Sequence, residues 1–180
     1  MFKQFVCFAI ILFPFQQNID KSKLYYKESN FKSNKNNQTL FVIERNINTN
    51  TIYYDANLLA SGKLNPNNPI DEYYIHYATD NKRAELSMIE RKMVYGYSFE
   101  KNENNNYFVK LKAYKERFIL LHQDINNKVY AMMKINGKEA YLKKIYVFAK
   151  PNLYTSVIYI ELNGEDVKTK APVYEKILNN

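Results

Sequence analysis

Chemistry has few places to sit in this chain. Glu44, Asp55 and Asp71 fall at the ends of strand-like segments beside turns, where the acid and base of a hydrolase could face a cleft. Such a pair must stand about 5 to 10 Å apart. Asp55-Ala56-Asn57 and Pro69-Ile70-Asp71 are also ordinary turn sequences, so the carboxylates serve turns as readily as catalysis. His76 and His122 lack partners at metal-ligand spacing, and each suits a structural place in its strand. Ser61, Ser87, Ser98 and Ser156 sit in no nucleophile-elbow context. There is no glycine-rich phosphate loop. The sequence therefore points to no cofactor, no metal and no catalytic residue.

Tyrosine is the better functional lead. The chain has 17 Tyr and no Trp, and Tyr53, Tyr54, Tyr73, Tyr74, Tyr77, Tyr95 and Tyr97 crowd into one stretch. Rigid amphipathic rings can stack on a ligand while the hydroxyl makes a hydrogen bond. Tyr53, Tyr73, Tyr74, Tyr95 and Tyr97 are the candidate ligand-binding residues, with a glycan or an envelope protein as the candidate ligand. The competing reading is that these rings simply fill half-buried strand positions.

The elements that would position them are mostly strands. Candidate strands cover 40–45, 51–54, 72–78, 97–100, 107–113, 117–122, 129–135, 138–148 and 156–162, separated by turn residues. Residues 46–50 form a hairpin-length loop. In 107–113, Val109, Leu111 and Ala113 should face inward while Lys110 and Lys112 face water. Asn136-Gly137 predicts a type I′ turn that sets Lys134 opposite Glu139. Ser87 and Glu90 form a capping box opening a helix over 88–95. Met88, Ile89 and Met93 are expected on its core side, and Gly96 as its left-handed stop. The expected fold is mainly β: an antiparallel sandwich or barrel of about eight to nine strands with one short helix.

The N-terminus reads as an export signal. Lys3 precedes an apolar run from Phe5 to Phe13, about half the length a membrane helix needs. Residues 1–16 are assigned as a signal peptide cut near Gln16, residues 17–39 as a polar, disordered lead-in, and residues 40–180 as a single β-rich domain. Cys7 would leave with the signal, so the exported chain is cysteine-free and has neither a disulfide nor a transmembrane span. The expected location is the periplasm, the outer surface or the medium. The formal charge of +8 is spread along the chain, with Arg only at 45, 83, 91 and 117, which fits a solvated basic surface better than a nucleic-acid patch.

Several segments together resemble an uncharacterised family, a domain of unknown function found in small exported bacterial proteins. The likeness rests on Phe41 to Arg45, Tyr54 to Asn57, Asn68 to Asp71, Leu86 to Phe99, Ala113 to Lys115, Ile135 to Lys138 and Tyr159 to Gly164. The resemblance implies one β-rich domain outside the cytoplasm and assigns no activity, cofactor or catalytic residue. Three functions follow for testing: a non-catalytic domain binding a ligand or partner through a Tyr-rich face, a barrel carrying a small apolar molecule, and a carboxylate hydrolase.

Overall fold

Among the described residues the chain from Gln38 onward forms eleven strands, most of them from alternating or apolar-aromatic runs, with one helical turn of α type and one of π type. The computed structural model describes residues 38–76, 81–151 and 156–179; the signal, residues 17–37 of the lead-in, and Tyr77 lie outside them. In chain order the strands are β1 (Gln38–Arg45), β2 (Asn48–Ala56), β3 (Ile70–Ile75), β4 (Arg83–Glu85), β5 (Tyr97–Lys101), β6 (Tyr107–Leu111), β7 (Ile119–Gln123), β8 (Val129–Ile135), β9 (Lys138–Lys150), β10 (Ser156–Asp166) and β11 (Pro172–Leu178). Between β4 and β5 lie α1 (Met88–Glu90) and a π-helical turn, Arg91–Tyr95.

All strands join one curled sheet, a half-barrel in the order β4-β3-β2-β1-β9-β8-β7-β6-β5, with β10 and then β11 added on the far side of β9. The curl begins at β9. Residues Ala140 to Lys150 pair along one edge with β10. The other edge is shared: Lys138 to Tyr141 pair with β8, and Lys144 to Val147 pair with β1. The sheet must splay where two neighbours leave one edge.

The β1–β9 pairing is parallel, which departs from the all-antiparallel expectation. Asn46 secures it, since its side chain donates to Ala149 O (2.9 Å) and accepts from Ala149 N (2.8 Å), imitating one more strand residue. The connection from β1 to β2 is therefore a two-residue turn, Asn46-Ile47, and the expected loop residues 48–50 belong to β2. Two short or polar strands, β4 and β11, escaped the hydrophobic pattern altogether. Gly164 sits at a register shift inside β10 rather than ending it.

The predicted hairpin is present. Asn136 and Gly137 have φ of 48° and 77°, and Lys134 lies opposite Glu139. Inside the curl, Phe41, Tyr54, Ile70, Ile119, Leu121, Ile135, Leu142 and Leu162 are fully buried. Each such side chain stabilises the fold by about 1.5 to 3 kcal/mol. The space beside Tyr95 and Tyr114 is about 40 Å³, well short of the roughly 300 Å³ that an apolar cargo needs, and so gives the carrier reading no support.

Candidate functional site

The two ends of the open sheet, β4 and β5, are joined in sequence by the helical segment, which therefore lies across the seam. Ser87 caps it as expected: the Glu90 backbone N–H donates to the Ser87 hydroxyl (3.3 Å) and the Ser87 backbone N–H to the Glu90 carboxylate (2.7 Å). Only one α-turn follows. The chain then widens into the π-turn, and Gly96 is extended (φ −67°, ψ 174°) instead of left-handed. Glycine is needed there for space. A Cβ on Gly96 would stand 1.9 Å from the Arg91 carbonyl oxygen, which no side chain tolerates.

Apolar residues of this segment face away from the core. Met88, Ile89 and Met93 are 70%, 63% and 57% exposed, contrary to the expected inward face, and Leu86 and Tyr95 anchor the segment instead. Arg91 bonds acids of two strands. Its Nη1 donates to Glu72 Oε1 (2.7 Å), Nη2 to Glu85 Oε2 (2.7 Å) and Nε to the Leu86 carbonyl (3.2 Å).

A cleft of about 530 Å³ opens at this seam, lined by Asn68, Glu72, Met88, Arg91, Lys92, Gly96, Tyr97, Phe99 and Lys112. Tyr97 closes one end, its hydroxyl reaching Asn68 Oδ1 (2.5 Å) and the Ile70 carbonyl (2.8 Å) while accepting from the Ile70 N–H (3.0 Å). Glu72 is 5% exposed. Burial pushes its carboxyl up, and the Arg91 guanidinium pulls it back. Among the described residues Lys92 and Lys112 have no acidic partner, so the cleft keeps two uncompensated cations beside one paired carboxylate.

The predicted tyrosines part company here. Tyr97 lines the cleft. Tyr74 shares the inner face of β3 with Glu72, its ring tilted against His76 at 4.6 Å. Tyr95 is buried beneath Arg45, whose guanidinium lies 4.8 Å from the ring centre. Tyr54 is fully buried and donates to the Tyr95 carbonyl at 2.7 Å. Tyr53 and Tyr73 point to the opposite side of the sheet, stacked at 5.6 Å, with the Arg83 guanidinium 3.9 Å over Tyr73. Tyr73 is 3% exposed and its hydroxyl donates to Asp55 Oδ2 at 2.8 Å. Among the described residues the candidate tyrosines are divided between two sides, because strand alternation sends Tyr53 and Tyr54, like Tyr73 and Tyr74, opposite ways.

The proposed hydrolase acids are not at the cleft either. Glu44 pairs with Lys144 at 3.2 Å. Asp55 and Asp71 are cross-strand neighbours on the outer side, and Arg83 grips both oxygens of Asp71 at 2.9 and 3.0 Å. Burial raises the Asp55 carboxyl above its usual range, and hydrogen bonds from Thr39 and Tyr73 pull it back. Asp55 and Tyr73 are buried, while the Arg83 bonds to Asp71 and Glu85 lie at the surface, so these carboxylates are engaged in structural contacts. His122 lies beside Asn106 at 3.1 Å, and no three His, Asp or Glu gather as a metal site among the described residues.

Glu72, Arg91, Lys92, Phe99 and Lys112 were missed by sequence reasoning. One signal was available: Asp71 and Glu72 are adjacent in a strand, so one carboxylate must point inward.

The sequence pattern of a family described as a domain of unknown function, DUF4833, matches residues 41–176, from the second apolar residue of β1 to near the end of β11. The chain belongs to this family. No curated protein and no solved structure matches it. The described residues of this chain are mostly β with one short helical segment, and among them no helix is long and apolar enough to cross a membrane.

Proposed function

We propose that this protein is an exported β-domain that captures an acidic ligand in the seam cleft. Lys92 and Lys112 hold the anion, and Tyr97, Phe99 and Met88 cover the apolar part of the ligand. One observation carries this reading: a cleft of about 530 Å³ whose carboxylate is already engaged by Arg91, leaving two ammonium groups without an acidic partner. Low-dielectric walls strengthen the attraction of such charges for a carboxylate. Of the tyrosines singled out from sequence, Tyr97 is the one this reading keeps in the site. Export is supported by the charged start and apolar run of residues 1–16.

Titration of the purified protein with oligogalacturonate and with short polyglutamate tests the cleft. Micromolar to millimolar binding that weakens with salt is expected, and Lys92→Glu combined with Lys112→Glu should weaken it by about tenfold or more. Binding that ignores the double reversal would refute the reading. For export, the mass of the protein recovered outside the cytoplasm should correspond to a cut near Gln16; an intact cytosolic chain would overturn that part.

A further inference from the structure

Resting on that cleft reading, we propose that the ligand is an extended acidic peptide segment of a partner protein, which adds as a strand to the free edge of β5. The hydrogen bonds flanking β5 show which of its groups are available. Lys112 N–H donates to the Gly96 carbonyl (2.8 Å), and Asn102 N–H to the Asn106 carbonyl (3.0 Å). Both contacts obey the register that sets Tyr97 opposite Leu111 and Lys101 opposite Tyr107. In an antiparallel pair the bonding residues alternate, so Ser98 and Glu100 face β6. The N–H and C=O groups of Tyr97, Phe99 and Lys101 therefore point to the other edge, and among the described residues no strand pairs there.

Unpaired strand edges invite a further strand unless they are blunted. The other two termini of the sheet are blunted: β4 has three residues, and β11 opens with Pro172 and carries outward-facing Lys176. The β5 edge opens beside the cleft, because Tyr97 and Phe99, two residues apart, both line it. A peptide laid along this edge would place alternate side chains at the same two-residue spacing. On the other wall stand Met88 and the unpaired Lys92, with Ile89 and Met93 exposed beyond them; methionine adapts its shape to varied apolar partners. The charge supplied by Lys92 and Lys112 selects acidic residues in that peptide. A glycan would use the rings and the cations but leave the strand edge idle.

The test uses the isotopically labelled chain and a capped octapeptide alternating Val and Glu, with oligogalacturonate as an acid lacking a peptide backbone. Peptide binding should shift the amide signals of Tyr97, Phe99 and Lys101 and slow their hydrogen exchange, whereas those of Ser98 and Glu100 change little. Phe99→Pro removes an outward N–H without touching a bond to β6; it should weaken peptide binding about tenfold, against about threefold for Phe99→Ala. Lys101→Pro gives the same test at the strand end should Phe99→Pro unfold. Peptide affinity indifferent to both prolines, or protection elsewhere, overturns the strand addition. If oligogalacturonate binds in a Lys92-dependent manner while the peptide does not, the cleft reading stands and this inference falls. Protection of the β5 edge that grows with protein concentration alone would replace the peptide with a second copy of the chain and likewise refute it.

Discussion

Two cross-strand ladders on the outer side of the sheet have the same plan and different fates. In the first, Tyr53 stacks on Tyr73 and the edge strand β4 caps the pile with Arg83, 3.9 Å from the Tyr73 ring centre. In the second, Phe148 stacks on Tyr159 at 4.8 Å and the edge strand β11 supplies Lys176, 3.6 Å from the Tyr159 ring centre. The first ladder is tied into carboxylates: Tyr73 to Asp55, and Arg83 to Asp71 and Glu85. From Glu85 the network continues through Arg91 to Glu72 in the cleft. Among the described residues the second ladder has no such anchor, and its rings are half-exposed. Aromatic pairing alone does not distinguish structural from accessible rings; burial and the partners of the hydroxyl do.

Truncation separates the two most sharply. Tyr73→Ala should cost about 3 to 4 kcal/mol, since it opens a cavity and strands Asp55, whereas Tyr159→Ala should cost about 1 kcal/mol. Urea denaturation of both variants decides the matter, and equal losses would erase the distinction. Next in size is the cap. Arg83→Met leaves Asp71, Glu85 and Asp55 without their shared cation and should cost roughly 2 kcal/mol, against roughly 0.5 kcal/mol for Lys176→Met. A double-mutant cycle with Asp71→Asn should show coupling at Arg83; additive losses would break the network.

The smallest effect is in pH. Burial holds Asp55 and Glu72 above the ordinary carboxylate range, so the native chain binds their protons more tightly than the unfolded one. Their contribution favours the fold below the ordinary pKa and is lost as pH rises through the raised values. Glu175 has the opposite sign. Arg117, bonded to both its oxygens at 2.6 and 2.7 Å, holds its carboxyl low. That contribution is present above the ordinary Glu value and lost as pH falls through the lowered one. Thermal midpoints should therefore rise modestly from pH 7 to about 5 and fall below about pH 4. A steady decline from pH 7 would show that the buried acids of the first ladder carry no strain, and Glu175→Gln should flatten the acid limb.

Much of the architecture was written in local chemistry. Asn136-Gly137 specified its turn because few other pairs accept two positive φ values, and Ser87 with Glu90 specified the helix start. Strand character in β1 to β3 and β5 to β10 followed from their alternating or dense apolar-aromatic runs. The strands that went unnoticed, Arg83–Glu85 and Pro172–Leu178, are edges with little apolar signal, and the parallel β1–β9 pairing is a long-range contact that no local pattern encodes. The helix misled for a related reason. Its spacing suits an α-helix with a buried apolar side, but the segment continues as a π-turn in which Arg91 bonds Glu72 and Glu85, acids of other strands that no local pattern announces.

The candidate site divides along the same line. Residue types alone settled that the chain is strand-built, rich in Tyr and poor in groups for nucleophilic or metal chemistry. Only closure of the sheet decided which rings were buried, which carboxylate turned inward and which lysines met at the seam. Neighbours in a strand face opposite ways, so tyrosines clustered in sequence are divided between two sides. Lys92 and Lys112, twenty positions apart, become neighbours only when β5 and β6 bring them to one cleft.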